Sequence, residues 1–349
     1  MEISIGGKKL GSGCKPFIIA EMSGNHNQSL DRALEIVEAA SKAGADAIKL
    51  QTYTADTMTL KQKGGSFDIK DNNSLWAGKN LHELYKKAYT PWEWHEPIFN
   101  RAKELNLVCF SSPFDASAVD FLEELDVPAY KIASFENNHL PLIKKAASTG
   151  KPLIISTGMA TLAEIEQAVT SAKEAGCSQL VLLKCTSTYP ATPENTNIKT
   201  IPHLKELFDA EVGLSDHTLG IGVSVGAIAL GASVIEKHFT LSRNDGGVDS
   251  AFSLEPNELE ALVSEATRVW QSLGQVRYGP TEAEKKSLQF KRSIYIAEDI
   301  KKGETFTERN IRIVRPGDGA PPYLFEYILG KQARGNFKAG EPLSFEKLL

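Results

Sequence analysis

Short apolar runs rich in β-branched residues recur along most of the chain, and patterns of helical spacing separate them. The runs are FIIAE (17–21), DAIKLQ (46–51), LVCFSS (107–112), AYKIAS (129–134), PLIISTG (152–158), QLVLLKCT (179–186), EVGLSD (211–216) and SVIEKHFT (233–240). Between them, SLDRALEIVEAASKAG opens on Ser29 as an N-cap and closes at Gly44. TLAEIEQAVTSAKEAG repeats the design, with Thr161, a glutamate three residues on, and Gly176. Strand followed by helix, repeated about eight times, predicts parallel strands with covering helices. Eight such units fit a closed (β/α)8 TIM barrel, for which about 250 residues are typical. An open doubly wound sheet is the alternative, but it calls for a glycine-rich nucleotide turn. The nearest match, GSG at 11–13, precedes the first strand and lacks the third glycine.

After about residue 275 the texture changes. EAEKKSLQFKRS is charged and reads as a linker, and beyond it DIKKGETFTERNI (299–311) and NFKAGEPLSFEKL (336–348) form an internal repeat. Each copy has a Lys-x-Gly-Glu turn followed by a short apolar segment, which predicts a compact pseudo-symmetric module. The expected organisation is a catalytic barrel over 1–275, a linker over 276–290 and a small domain over 291–349. A chain of 349 residues is long for one core, in keeping with this division.

Composition narrows the class. The chain is 42% hydrophobic and 24% charged, with a formal net charge of −5, which argues against a nucleic-acid partner. Residues 285–349 nevertheless carry 13 Lys and Arg against 8 Asp and Glu, so the small module is basic. The four cysteines (14, 109, 177 and 185) form no CxxC pair, and no stretch reads as a secretory leader or a membrane span. A reducing cytoplasm is expected.

In a barrel of this kind the chemistry sits at the C-terminal ends of the strands. Those ends carry Glu21; Lys49 and Gln51; Ser111 and Ser112; Lys131, Ser134 and Glu136; Ser156 and Thr157; Lys184, Thr186, Ser187 and Tyr189; Ser215, Asp216 and His217; and Glu236, Lys237 and His238. Four lysines and many hydroxyls at one mouth predict an anionic ligand, a phosphate or a carboxylate. His217 and His238 end successive strands and could share a metal. Glu21 and Glu236 are candidates for metal ligation or proton transfer. His82, His95, His139 and His203 read as structural, while His26 lies nearer the mouth and its role stays open. The long segment from Thr52 to about Thr90 reads as a lid. Trp76 within it, and Trp92 and Trp94 just beyond it, would either stack on a sugar or pack a helix onto the barrel.

The runs IAEMSGNHNQS, AIKLQTY, CFSSPFD, YKIASFE, ISTGMA, KCTSTYPA, GLSDHT and IEKHFTL, in this order, resemble the signatures of the sialic acid synthase family. Its members condense phosphoenolpyruvate with an amino sugar to make nine-carbon 2-keto acids, the nonulosonic acids. The C-terminal repeat resembles that family's antifreeze-like (SAF) module. LWAGKNLHELYKKAYTPWEWHEPIF and DGGVDSAFSLEP resemble a subgroup whose acceptor is 2,4-diacetamido-2,4,6-trideoxy-L-altrose. The alternative acceptors are N-acetylmannosamine and a 2,4-diacetamido stereoisomer.

The resemblance implies that His217 and His238 hold a divalent metal, Mn²⁺ first, with Mg²⁺ or Co²⁺ as alternatives. It puts Lys49, Lys131, Ser134, Ser156 and Ser215 on phosphoenolpyruvate, together with Ser112; Ser187 stands where the family commonly has asparagine. Gln51, Glu136, Tyr189 and Asp249 fall at sugar-contacting positions, and Glu21 matches the acid/base glutamate. Glu236 is a second candidate for orienting water. Arg315 would act on a partner's barrel in a domain-swapped homodimer. The rival chemistry, a Schiff-base aldolase, would need a buried nucleophilic lysine, and Lys184 is its candidate. On the family's reading, Glu236, Lys237 and His238 end the last strand in a row because they face the substrate.

Overall fold

The structure, a computed structural model, describes residues 3–11, 13–72 and 74–344. Two short strands come first, β1 (Ile3–Ile5) and β2 (Lys8–Leu10). The eight apolar runs then form β3 (Phe17–Glu21), β4 (Ala47–Thr52), β5 (Val108–Pro113), β6 (Tyr130–Ile132), β7 (Leu153–Ser156), β8 (Leu180–Cys185), β9 (Glu211–Asp216) and β10 (Val234–His238). All eight pair in parallel, and β10 joins both β9 and β3, which closes the barrel. The expected (β/α)8 fold is therefore present and the open sheet is not. The helix starts follow the caps read from sequence. Ser29 accepts from the Arg32 amide at the head of helix Leu30–Lys42, and Thr161 and Glu164 form a reciprocal capping box at helix Leu162–Glu174.

Strand side chains alternate between faces, so each strand feeds two compartments. Ile18, Ile48, Cys109, Leu214 and Ile235 point outward into the core beneath the helices. Phe17, Ile19, Ala47, Phe110, Leu183 and Val234 fill the barrel interior. Two residues further along each strand, at the next inward place, the interior turns polar at Glu21, Lys49, Ser215 and Glu236. Gly213 takes an inward place where backbone and side chains crowd, since a Cβ there would lie 2.2 Å from the Val234 carbonyl oxygen and 2.7 Å from Leu183 Cδ2. The β1–β2 hairpin turns on Gly6 and Gly7, both at positive φ. Its Ile3, Ile5 and Leu10 join Phe17 and Val108 in the interior cluster, closing the end of the barrel away from the strand C-termini.

Strand alternation also corrects the reading of the last strand. Glu236 and His238 face inward, but Lys237 between them is buried on the outer side. Its Nζ pairs with Asp216 Oδ2 at 3.2 Å and donates to the carbonyls of Thr218 and Gly220. Asp216 in turn accepts from the Thr218 amide, the Thr218 hydroxyl and the Ser224 hydroxyl. Ser111 likewise points outward, to Thr52 Oγ1. Lys184 also lies off the inward row, donating to Cys185 O and Thr186 Oγ1.

The chain divides into two compact units, Met1–Gly274 and Gln275–Leu349. In the second, β11 (Ser293–Ile296) pairs antiparallel with β12 (Ile311–Val314). The two repeat copies meet each other: Ile300 and Phe337 exchange both backbone hydrogen bonds, and Phe306, Phe337 and Leu343 share one small core. The end of the second copy, 345–348, lies outside the described residues. Arg315 is exposed, immediately before a cis proline, Pro316. Among the described residues no helix is long and apolar enough to cross a membrane.

The outward lysine generates a stability prediction. Removing one partner of a buried ion pair costs about 3–5 kcal/mol because the other charge is left without compensation. Lys237→Ala is expected to lower the melting temperature of the barrel by roughly 10 °C in differential scanning calorimetry. A melting temperature within a degree of wild type would mean that the Lys237–Asp216 pair contributes nothing to the fold.

Candidate active site

The inward polar residues at the strand ends line one cavity of about 390 Å³. Its floor is a buried cluster of charges. Lys49 Nζ lies 2.5 Å from Glu21 Oε2, 3.9 Å from Glu236 Oε2 and 3.2 Å from Ser112 Oγ. Lys131 Nζ lies 3.8 Å from Glu236 Oε1 and donates to Ser156 Oγ at 2.7 Å and to the Ile132 carbonyl. Ser215 Oγ donates to Glu236 Oε1 at 2.9 Å, and Gln51 Nε2 to Glu21 Oε1 at 2.8 Å. These side chains come from several strands, with Lys49 and Gln51 both on β4, and all but the half-buried Gln51 are almost wholly buried.

Burial and mutual attraction divide the protons among them. Burial pushes the Glu21 carboxyl up to about 7; Lys49 pulls it down and the nearby Glu236 charge pushes it up. Burial also opposes charge on Glu236, but Lys131 and Lys49 outweigh it and hold Glu236 below the usual carboxylate range. The same trade leaves Lys49 above the ordinary lysine value, because burial is overcome by Glu21 and Glu236. Lys131 stays below that value, since burial wins there. Two carboxylates side by side thus differ in role: Glu236 is a fixed anion, and Glu21 can exchange a proton near neutrality.

Ser134 lines the cavity, and Ser187, which is not a lining residue, donates its hydroxyl to Ser134 Oγ at 2.8 Å. Glu136 lines the same side; burial pushes its carboxyl up to about 7, against the pull of Lys131. Asp249 accepts a short hydrogen bond from Ser23, and Ser23 also accepts from Gln51 Nε2 at 3.2 Å. Glu236 Oε2, Glu136 Oε2 and His238 Nδ1 are buried polar atoms of the lining with no hydrogen-bond partner.

The two histidines lie together, their ring centroids 5.4 Å apart. His217 Nδ1 lies 2.9 Å from the Thr186 carbonyl oxygen, so Nδ1 carries the proton and Nε2 is left to ligate. Burial first, and then the positive charges of Lys49, Lys237 and Lys131, hold His238 well below the ordinary histidine value. Asp249 Oδ2 stands 3.7 Å from His238 Nδ1. Among the described residues, no group of three or more His, Cys, Asp or Glu side chains is arranged to hold a metal ion. His217 and His238 could offer two imidazole nitrogens to an ion, whose other ligands would have to be water or substrate oxygens.

Tyr189 fits between the histidines and the segment that follows β4. Its ring lies 4.5 Å from that of His217 and 5.8 Å from that of Trp76. Of the three tryptophans, only Trp76 lines the cavity. Trp92 stacks on Phe121 and Trp94 packs edge-on against His26. His26 is fully buried behind the cavity and bonds Thr90 Oγ1, while His95 bonds Thr52 Oγ1. Both are structural. The expectation of four lysines at the mouth is corrected to two, Lys49 and Lys131. Lys184 does not line the cavity, which removes the candidate for Schiff-base chemistry. Arg315 belongs to the second unit.

Sequence reading missed Ser23 and Cys185. Cys185 follows Val181 and Leu183 along the inward row of β8, so counting by twos from either would have found it. Ser23 lies in the turn after β3, at positive φ, where no strand period reaches.

The comparisons with known proteins agree with this geometry. The NeuB family is matched over residues 36–278 and the SAF domain over residues 291–349. A pseudaminic acid synthase of Campylobacter jejuni is 47% identical over 94% of this chain and 95% of its own. An N,N'-diacetyllegionaminic acid synthase of the same species is 39% identical over 94% and 98%. The crystal structure of an N-acetylneuraminic acid (sialic acid) synthetase from Leptospira borgpetersenii in complex with citrate superposes with a TM-score of 0.74. It is 33% identical, and the match covers 83% of this chain and 96% of that one.

The raised Glu136 carboxyl generates a pH prediction. Between about pH 4.5 and 7 the folded chain holds a proton there that the unfolded chain has lost, so folding stability falls as pH rises through that window. Glu136→Gln removes this slope. Its melting temperature, compared with wild type in ligand-free protein, is expected to gain on the order of several degrees between pH 4.5 and 7 and to level off above. A constant difference across the window would show that Glu136 titrates normally.

Proposed function

The chain belongs to the NeuB family, and on that premise we propose that it is a pseudaminic acid synthase. It is an enzyme of the transferase type, joining phosphoenolpyruvate to 2,4-diacetamido-2,4,6-trideoxy-L-altrose with uptake of water and release of phosphate. The observation that carries the reading is the cavity floor: two buried lysines beside hydroxyls and imidazoles, at the strand ends of a barrel whose relatives make nonulosonic acids.

Lys49 and Lys131 hold the phosphate and carboxylate of phosphoenolpyruvate, with Ser112, Ser134, Ser156, Ser187 and Ser215 as further hydrogen-bonding partners. Charge from the substrate replaces part of what Glu236 supplies to both ammonium groups in the free enzyme. Gln51, Glu136, Tyr189 and Asp249 orient the acceptor so that its aldehyde carbon meets C3 of phosphoenolpyruvate, and such alignment contributes up to about 7–11 kcal/mol. A divalent metal on His217 and His238, Mn²⁺ first, would act as a Lewis acid on the aldehyde oxygen. As the C–C bond forms, C2 gains oxocarbenium character and a water adds to it. Glu21, poised near neutrality, takes the proton of that water, and Glu236 stabilises the positive charge at C2. The tetrahedral C2 then expels phosphate by C–O cleavage, leaving the 2-keto acid. Arg315 completes the acceptor site from a partner's SAF module in a homodimer, and the four free cysteines suit a cytoplasmic setting.

Phosphate release from phosphoenolpyruvate with Mn²⁺, measured with each acceptor separately, tests the reading. Release is expected with the diacetamido-altrose and not with its legionaminic-type stereoisomer or N-acetylmannosamine. Release with one of those alone would keep the reaction and change the acceptor; release with none would overturn the reading. His238→Ala should lower turnover by at least about 100-fold while the melting temperature stays near that of wild type. Activity close to wild type in that variant would remove the imidazole pair from the mechanism.

A further inference from the structure

The cavity has a second half that the reaction does not use. The segment after β4 lines it with the aliphatic side chains of Met58, Ile69, Leu81 and Leu84, beside Tyr53, Ser74, Trp76 and Tyr85, and Phe114 after β5 also lines it. This wall is built rather than draped. Asn80 caps helix Leu81–Ala88 and ties it to Asp68, Phe67 and Gln62. The buried Tyr53 meets Phe114 and Tyr85 edge to face, at 5.2 Å and 5.8 Å. Trp76 Nε1 donates to the Val248 carbonyl oxygen at 3.0 Å, fastening the segment beside Asp249. A ladder of rings leads from the imidazole of His217 through Tyr189 to Trp76, with spacings of 4.5 Å and 5.8 Å. These rings connect the imidazole end of the cavity to the segment after β4.

We propose that the wall formed by Met58, Ile69, Leu81 and Leu84 is the subsite for the C6 methyl of a 6-deoxy acceptor, and that these residues select it over a 6-hydroxy sugar. The inference rests on the acceptor assignment above and adds what recognises its deoxy end. Aliphatic side chains offer no donor or acceptor, so a hydroxyl placed against them leaves water without a replacement partner, whereas a methyl loses nothing and gains contact. Acetamido methyls do not make this distinction, because N-acetylmannosamine carries one too. Apolar pockets discriminate against an added hydroxyl by about 100-fold at most.

The test is a ratio. kcat/KM for phosphate release is measured with 2,4-diacetamido-2,4,6-trideoxy-L-altrose and with its 6-hydroxy counterpart, in wild type, Ile69→Asn and Leu81→Asn. Wild type is expected to prefer the 6-deoxy sugar about 10–100-fold. Both variants should bring the ratio toward one, with KM for phosphoenolpyruvate unchanged. General damage to the fold slows both sugars alike and leaves the ratio where it was. A wild-type ratio near one, or a ratio unmoved in both variants while the altrose still turns over, overturns the subsite and spares the function. No release with either sugar, from folded and metal-loaded wild type, overturns both.

Discussion

Two lysines and two glutamates buried together at the top of the barrel interior set the terms for the rest of the site. Taking Lys49, Lys131, Glu21 and Glu236 out of water is costly for each alone. Only an arrangement in which each charge meets an opposite one lets the barrel close around them without a ligand. The inward row supplies that arrangement because β10 lies beside β3 on one side and β9 on the other, so Glu21 and Glu236 come from neighbouring strands with Lys49 against both. Their balance is incomplete by design of the geometry: Glu236 Oε2 has no hydrogen-bond partner, and both its lysine contacts are near 4 Å. An anionic substrate can therefore displace Glu236 from either ammonium group without breaking a short contact, although Lys49 stays paired with Glu21 at 2.5 Å.

The barrel supports this cluster from below with apolar layers. Ile19, Phe110, Leu183 and Val234 exclude water beneath the charges, and the β1–β2 hairpin seals the opposite end. A lower local dielectric strengthens every interaction in the floor. It also separates the two carboxylates: Glu236, within 4 Å of both lysines and bonded by Ser215, keeps its charge, whereas Glu21, beside Lys49 alone, gains a proton near neutrality.

Much of this was legible in the chain because it depends on local patterns. Strand runs, Ser29 and Thr161 as caps, the change of texture after residue 275 and the polar strand ends all follow from short-range rules. The structure departs from the sequence pattern where a strand end presents two faces and not one. Lys237 and Asp216 sit among residues that do face the cavity, yet strand alternation turns them outward into a buried pair of their own. Lys184 fails for the same reason, one place before the inward Cys185. Ser23 and the aliphatic wall lay beyond any such rule, since turn geometry and the docking of an inserted segment are fixed by tertiary packing and have no period to read.

The cavity thus draws on two structural sources that behave differently. Its floor is written by barrel register: moving one strand by a single residue would turn Lys49 or Glu236 to the outer face and undo the fold with the site. Its wall comes from the segment between β4 and β5, anchored by Asn80, Trp76 and Tyr53 but outside the strand ladder. Side chains there can change size or polarity without disturbing the charges below. The charged floor is accordingly bound to the stability of the barrel, whereas the aliphatic wall is built from residues outside the strand ladder. An enzyme built this way can exchange one amino sugar for another at the wall while the phosphoenolpyruvate half of the reaction stays as it is.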